Sequence, residues 1–250
     1  MRLPEYVSGP LAYSPLALVA AQINFEEIGR GVEHKQARSV QKALGTEWAS
    51  LAATPLVEAT MTPAGAVNQP NRSAYRLATS DGAWSVLLNP DRVTLETTSY
   101  DGWARFSQRF SLLARAVADV FDPGTEQRLG LRYVDQIPLP TGWDGWQGLI
   151  PDTLLGVAID DRFDDGVLGS DQRLLLQLEE GIRCVLRHGL LTDAGTNQVG
   201  AAYLLDYDVF RENRPYDAGG SDEGAAMLHS YVGRLFRASI TDDLYAVLKG

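Results

Sequence analysis

The stretch from Asp171 to Leu191, DQRLLLQLEEGIRCVLRHGLL, decides the fold class, because it can be read as helix or as strands. Two features favour strands. Gly181 interrupts the run, and beyond it Cys184, Leu186 and His188 alternate with Val185 and Arg187, the period of two that a pleated strand imposes. TDAGTNQVG, residues 192–200, is then a hairpin loop leading into AAYLLDYDVF. In that next strand Tyr203, Leu205, Tyr207 and Val209 form an apolar face, and Asp206 and Asp208 point together to the other side with Leu204 and Phe210.

Working outward, the same grammar recurs. LALVAAQINF (16–25) reads as a buried strand following a proline. Residues 33–51 favour helix, and TPLVEATMTPAGAVNQPNRS mixes a strand with a loop marked by Pro and Gly. SAYRLATS and AWSVLLNPDRVTLETTSY look like a meander, with Asn89-Pro90-Asp91 as a turn and Val93, Leu95 and Thr97 on one face. From Asp101, a plausible N-cap, a helix carries Trp103, Phe106, Phe110, Leu113, Val117 and Val120 at steps of three and four and stops at DPG, 122–124. RLGLRYVDQI follows as a strand with Leu129, Leu131 and Tyr133 inward and Arg132 and Gln136 outward. GWDGWQGLIPDTLLG suggests short helical turns in a loop. A last helix is capped by Ser221 or Asp222, and Thr241 caps a final short one.

The expected fold is therefore α+β, with an antiparallel sheet and helices on one face. It divides into two similar halves, 1–125 and 126–250, each ending in a long amphipathic helix, within one continuous globular unit.

Composition narrows the function classes. A formal charge of −10 and a pI near 4.8 argue against nucleic acid and anionic membrane surfaces, which demand a cationic footprint. The single cysteine, Cys184, forbids an internal disulfide and reads as a small buried hydrophobe in a reducing cytoplasm. The apolar segment near the start lacks a basic leader, follows Glu5 and is broken by Pro15, so neither a signal peptide nor a membrane span is expected.

Four stretches in order, PLALVAAQINF, GLRYVDQI, LLDYDVF and LFRASITDDL, resemble a sporadically distributed family of uncharacterised bacterial proteins. The resemblance covers most of the chain and implies no catalytic residues. Asp135 stands where that family more often carries Asn.

The candidate chemistry is sparse. Asp206 and Asp208, with Arg132 opposite, are either the polar face of a sheet or two oxygen ligands for a hard cation, for which Asp160, Asp161, Asp164 and Asp165 are the further acidic candidates. His34, His188 and His229 show no zinc spacing. Gly29-Arg30-Gly31 lacks the third glycine of a dinucleotide loop, and Gly-x-Ser-x-Gly is absent from the sequence. Trp143 and Trp146, in a Gly-rich loop, are either an interface anchor or a lid over the sheet. The expectation is a non-catalytic interaction module of a bacterial cytosolic system that needs no cofactor. It holds another protein, a basic one such as a toxin or a guarded defence component, or a second copy of itself, through Trp143, Trp146, Arg132, Asp206 and Asp208. The alternative is a metal- or small-ligand-binding enzyme built on Asp206, Asp208 and Arg132.

Overall fold

The computed structural model describes residues 2–5, 9, 11–27, 31–62, 65–163, 166–192 and 201–250, with 55–62 and 65–72 entering by their backbone alone. The sequence element of residues 193–200, expected as a hairpin loop, lies outside the described residues, as do Gly29, Arg30, Asp164 and Asp165.

The strands are β1 (Leu16–Phe25), β2 (Ser50–Thr62), β3 (Gly65–Ala78), β4 (Trp84–Asn89), β5 (Arg92–Thr97), β6 (Thr125–Pro138), β7 (Gln172–Glu179), β8 (Ile182–Leu191) and β9 (Ala202–Pro215). Helices are α1 (His34–Leu44), α2 (Trp103–Phe121), α3 (Asp152–Leu155), α4 (Ala218–Ser239) and α5 (Asp242–Lys249), with a 3-10 turn at Gly156–Ile159. The fold is α+β, and its nine strands form one antiparallel sheet in the order β2-β3-β4-β5-β1-β6-β9-β8-β7. The chain resolves into two compact units, one of Met1–Val19, Leu131–Phe210 and Met227–Gly250, the other of Ala20–Gly130 and Arg211–Ala226.

The run that opened the sequence reading is the β7–β8 hairpin, with Leu174 opposite Leu186 and Leu176 opposite Cys184. Gly189 shows why the strand tolerates no side chain there. Its φ is +155°, and a Cβ would overlap the Ser170 carbonyl. The β4–β5 turn falls at Pro90-Asp91, between the paired Asn89 and Arg92. The mixed strand-and-loop stretch is instead a long hairpin, β2 pairing with β3 from Ser50–Ala78 to Thr62–Gly65 with a register shift between Leu56 and Glu58.

Three helix boundaries differ from expectation, each for a local reason. The helix expected over 33–51 ends at Leu44, because Gly45 takes φ 100° and the chain re-enters the sheet at Ser50. Asp101 does not cap α2. Gly102 holds the cap position and Asp101 accepts instead from Arg105 one turn on, at 2.6 Å. Neither Ser221 nor Asp222 caps α4. The helix starts earlier, at Ala218, where the Asp217 carboxylate accepts from the Gly220 amide at 2.7 Å. Ser221 is thereby inside the helix, fully buried, donating to Glu126 at 2.6 Å. Thr241 does cap α5, its hydroxyl accepting from the Leu244 amide.

In the second unit, α2 buries Phe106, Phe110, Leu113 and Val117. Phe106 meets Trp84 of β4 at 5.8 Å, and Phe121 meets Phe25 of β1 at 6.0 Å. Arg109 lies on the same helix between two indoles, 4.2 Å from the Trp84 ring and 5.7 Å from Trp48, and donates to Glu47 at 2.6 Å. A second polar anchor joins the buried Glu126 to Arg211 (2.9 Å) and Ser221, and Arg211 also donates to the Gly220 carbonyl.

Replacing Gly189 by Ala should lower the unfolding free energy by more than about 1 kcal/mol, since strain at positive φ adds to the clash. Urea unfolding of the Gly189→Ala protein checks this, and an unchanged midpoint would contradict the described packing of Ser170 against β8.

Candidate functional site

In the first unit, β6 and β9 lie side by side and present opposite chemistry on their two faces. Leu131, Tyr133, Asp135 and Ile137 of β6 are buried, as are Tyr203, Leu205, Tyr207 and Val209 of β9. Arg132 and Gln136, on the alternate positions, are exposed.

The aspartate pair resolves on that alternate face. Arg132 clasps Asp206 with both carboxylate oxygens engaged, Nε to Oδ1 at 2.8 Å and Nη2 to Oδ2 at 2.7 Å. Asp206 is 4% exposed although it lies on the polar face, because the guanidinium covers it. That bond, and then the charges of Asp206 and Asp208, hold the Arg132 guanidinium above its ordinary pKa. With the Arg132 side chain 45% exposed, solvent screening limits the pair to about 1 kcal/mol. Asp208 is half-buried two residues on. A cation seeking Asp206 would have to displace Arg132 from both oxygens. Among the described residues no three His, Cys, Asp or Glu side chains converge as a metal would require. Asp160 is taken by Arg162, with Nη2 2.6 Å from Oδ2.

The tryptophan loop closes over the opposite face. Trp146 is 6% exposed, with its ring 5.4 Å from Tyr203, and is part of the core. Trp143 is half-buried against Gly148, whose φ of +80° turns the loop beneath the indole. The loop is tied down by Thr241, whose hydroxyl donates to the carbonyls of Gly148 (2.7 Å) and Leu149 (3.0 Å). The lid reading accounts for this geometry, and Trp146 presents no surface to a partner.

His188 and Cys184 are buried, His229 is half-buried, and His34 is exposed with its ring 5.9 Å from Tyr75. His188 Nδ1 lies 2.9 Å from the Tyr203 hydroxyl, which also reaches the Leu154 carbonyl. His229 Nδ1 lies 3.0 Å from the Tyr133 hydroxyl, and burial holds its pKa down to about 4. Burial first, then the nearby Asp208, pushes the Cys184 thiol up to about 12, so it carries no thiolate at neutral pH.

Asp135 is the residue that pattern reading placed without giving it a role. It is 3% exposed on the apolar face, and burial alone pushes its carboxyl up to about 8. Tyr207 is its titratable neighbour, with its hydroxyl buried next to Ser239, which itself donates to the Leu235 carbonyl at 2.9 Å. A buried carboxyl thus neighbours a buried phenol in the core, the kind of local inconsistency that marks a candidate site. The signal available in the sequence was a single carboxylate on the apolar side of GLRYVDQI.

No family model matches the chain, and no curated protein matches it. No helix among the described residues is long and apolar enough to cross a membrane.

Asp135 gives a pH signature with a definite sign. Its folded pKa is above the ordinary carboxylate value of 3.8, so the folded state holds a proton that the unfolded state has released. Stability should therefore fall as pH rises from about 4 to about 8, by at most about 1.4 kcal/mol per pH unit, and level off above. Asp135→Asn should remove that slope, so its advantage over the wild type should widen across the window. Chemical unfolding of both proteins from pH 4.5 to 8.5 is the check; parallel curves would contradict it.

Proposed function

We propose that this protein is a non-catalytic interaction module that docks a partner protein along the edge of its sheet. The observation that carries the reading is β7. It stands at the end of the strand order, and Leu174 and Leu175 on it are 40% and 64% exposed. The sequence leading to it adds Val157, Phe163 and Leu168 at 59%, 52% and 75%, so among the described residues five of the eight exposed large hydrophobics fall between positions 157 and 175. Edge strands are ordinarily blunted by charge, proline or cover, and an open apolar edge is suited to accepting a further strand. Exposed apolar side chains on an edge are the kind of surface that interaction sites use.

The formal charge of −10 favours a basic partner, such as a toxin that the chain neutralises or a defence component that it guards. A second copy of the chain, pairing β7 with β7, is the other occupant the edge suits. Arg132, Asp208 and Trp143 belong to this reading as rim residues, with Asp206 beneath Arg132, whereas the edge leucines are the anchors. The cytoplasm is the setting that the composition favours. Membership in the sporadically distributed bacterial family rests on the four ordered motifs. An internal duplication is part of the same reading. Counted outward from the β1–β6 neighbours, the strand order runs β1-β5-β4-β3 on one side and β6-β9-β8-β7 on the other, and a long helix follows each set in sequence.

Leu175→Lys places a charge on the edge at an exposed position, so folding stability should change by no more than about 0.5 kcal/mol. Partner capture, or self-association, should be lost. Light scattering on the purified protein and stoichiometric co-purification from the native host, each with wild type and variant, measure this. A monomeric wild type that retains no partner, or a complex indifferent to Leu175→Lys, would overturn the proposal.

A further inference from the structure

Arg173 and Arg187 stand directly opposite each other on β7 and β8. Opposed side chains on adjacent antiparallel strands lie within about 5.5 Å of each other at Cβ, and like charges so placed repel. Both guanidinium groups belong to the solvent face of the hairpin. The next pair on that face is Leu175 with Val185, whereas Leu174 and Leu176 pair with the buried Leu186 and Cys184. Among the described residues one carboxylate, Asp171, bonds this arginine pair, and it is engaged with Arg187, Oδ2 lying 2.9 Å from Nη2. Arg173 is exposed and meets no hydrogen-bond or ion-pair partner among the described residues.

The unmatched charge has one lateral side left. β8 flanks Arg173 on one side, and β7 is the last strand in the order, so the other side is the open edge. Arg173, Leu174 and Leu175 are exposed in succession. Because neighbours along a strand point to opposite faces, neither face is covered at this point. A strand added there sets one of its side chains directly opposite Arg173, as Arg187 is on the other side. A carboxylate in that place meets the guanidinium with two parallel hydrogen bonds and offsets the repulsion from Arg187. A lysine or arginine there would line up three cations across adjacent strands, so the edge selects by charge as well as by shape.

Resting on the edge docking proposed above, we infer that the segment received by β7 is an extended strand with a carboxylate residue opposite Arg173 and apolar residues opposite Leu174 and Leu175. Arg173 sets register and partner choice, and the leucines supply the contact. A partner that is basic overall meets this condition with a single acidic residue in its docking strand.

The probe is the peptide acetyl-Thr-Val-Val-Leu-Glu-Thr-amide, which runs antiparallel to β7 with its Glu opposite Arg173, compared with copies in which Gln or Lys replaces that Glu. Calorimetric titration of the full chain, with amide chemical-shift mapping, reads the binding. Saturable binding with shifts on β7 is expected, the Glu peptide binding tighter than the Gln copy by about threefold and tighter than the Lys copy by about tenfold. The margin should shrink as salt is raised. Arg173→Glu should reverse the order, and Arg173→Gln should bring the three peptides within about twofold of one another. Both substitutions fall at an exposed position and remove a like-charged opposition, so the variants should fold. Saturable binding that Leu175→Lys abolishes, but with no preference among the three peptides, would keep the edge reading and overturn the carboxylate rule. No peptide binding, with self-association that Leu175→Lys breaks, would give the edge to a second copy and overturn this inference alone. No peptide binding by a protein that remains monomeric and retains no partner would overturn both.

Discussion

The structure depends on one constraint: alternate residues of its central strands must leave water together. Val19, Ala21, Ile23 and Phe25 on β1, Leu129, Leu131, Tyr133 and Ile137 on β6, and Tyr203, Leu205, Tyr207 and Val209 on β9 are all buried. Because side chains alternate strictly along a strand, a slip of one residue would expose an entire set and bury the polar one, so burial specifies register as well as fold. The helices answer the same demand. Phe106 and Phe110 of α2 and Leu228, Val232 and Leu235 of α4 are buried.

What the apolar face does not solve by packing it solves by specific polar contacts. Tyr133 with His229, and Tyr203 with His188, place a hydroxyl against an imidazole in the core, so each ring brings its own hydrogen bond. Arg109 is held between Trp84 and Trp48, and Glu126 is neutralised by Arg211 and hydrogen-bonded by Ser221. Asp135 differs: it is buried on the apolar face, and burial pushes its carboxyl up to about 8.

The opposite face uses another logic. In the first unit Arg132 covers Asp206; in the second, Arg76 and Ser85 both bond the Glu96 carboxylate across adjacent strands. These are cross-strand polar pairs, each modest in energy because solvent screens it. Among the described residues, Leu174 and Leu175 on the edge strand β7 are left exposed.

Local periodicity was enough to read β1, the faces of β5, β6 and β9, the extent of α2 and the split of 171–191 into strands, because a repeat of two or of 3.6 is a property of neighbouring residues. The aspartate pair was legible for the same reason, since spacing alone sets Asp206 and Asp208 on one face. Spacing could not say that Arg132 would occupy both oxygens of Asp206, nor that Trp146 would be covered and Leu175 left open. Neither could it set Arg173 opposite Arg187, because a register shift between Gln177 and Glu179 fixes that pairing. The sequence by itself determined which side of each element is apolar. Only the tertiary structure decided which polar group meets which, because burial and pairing depend on segments brought together by the whole chain's collapse.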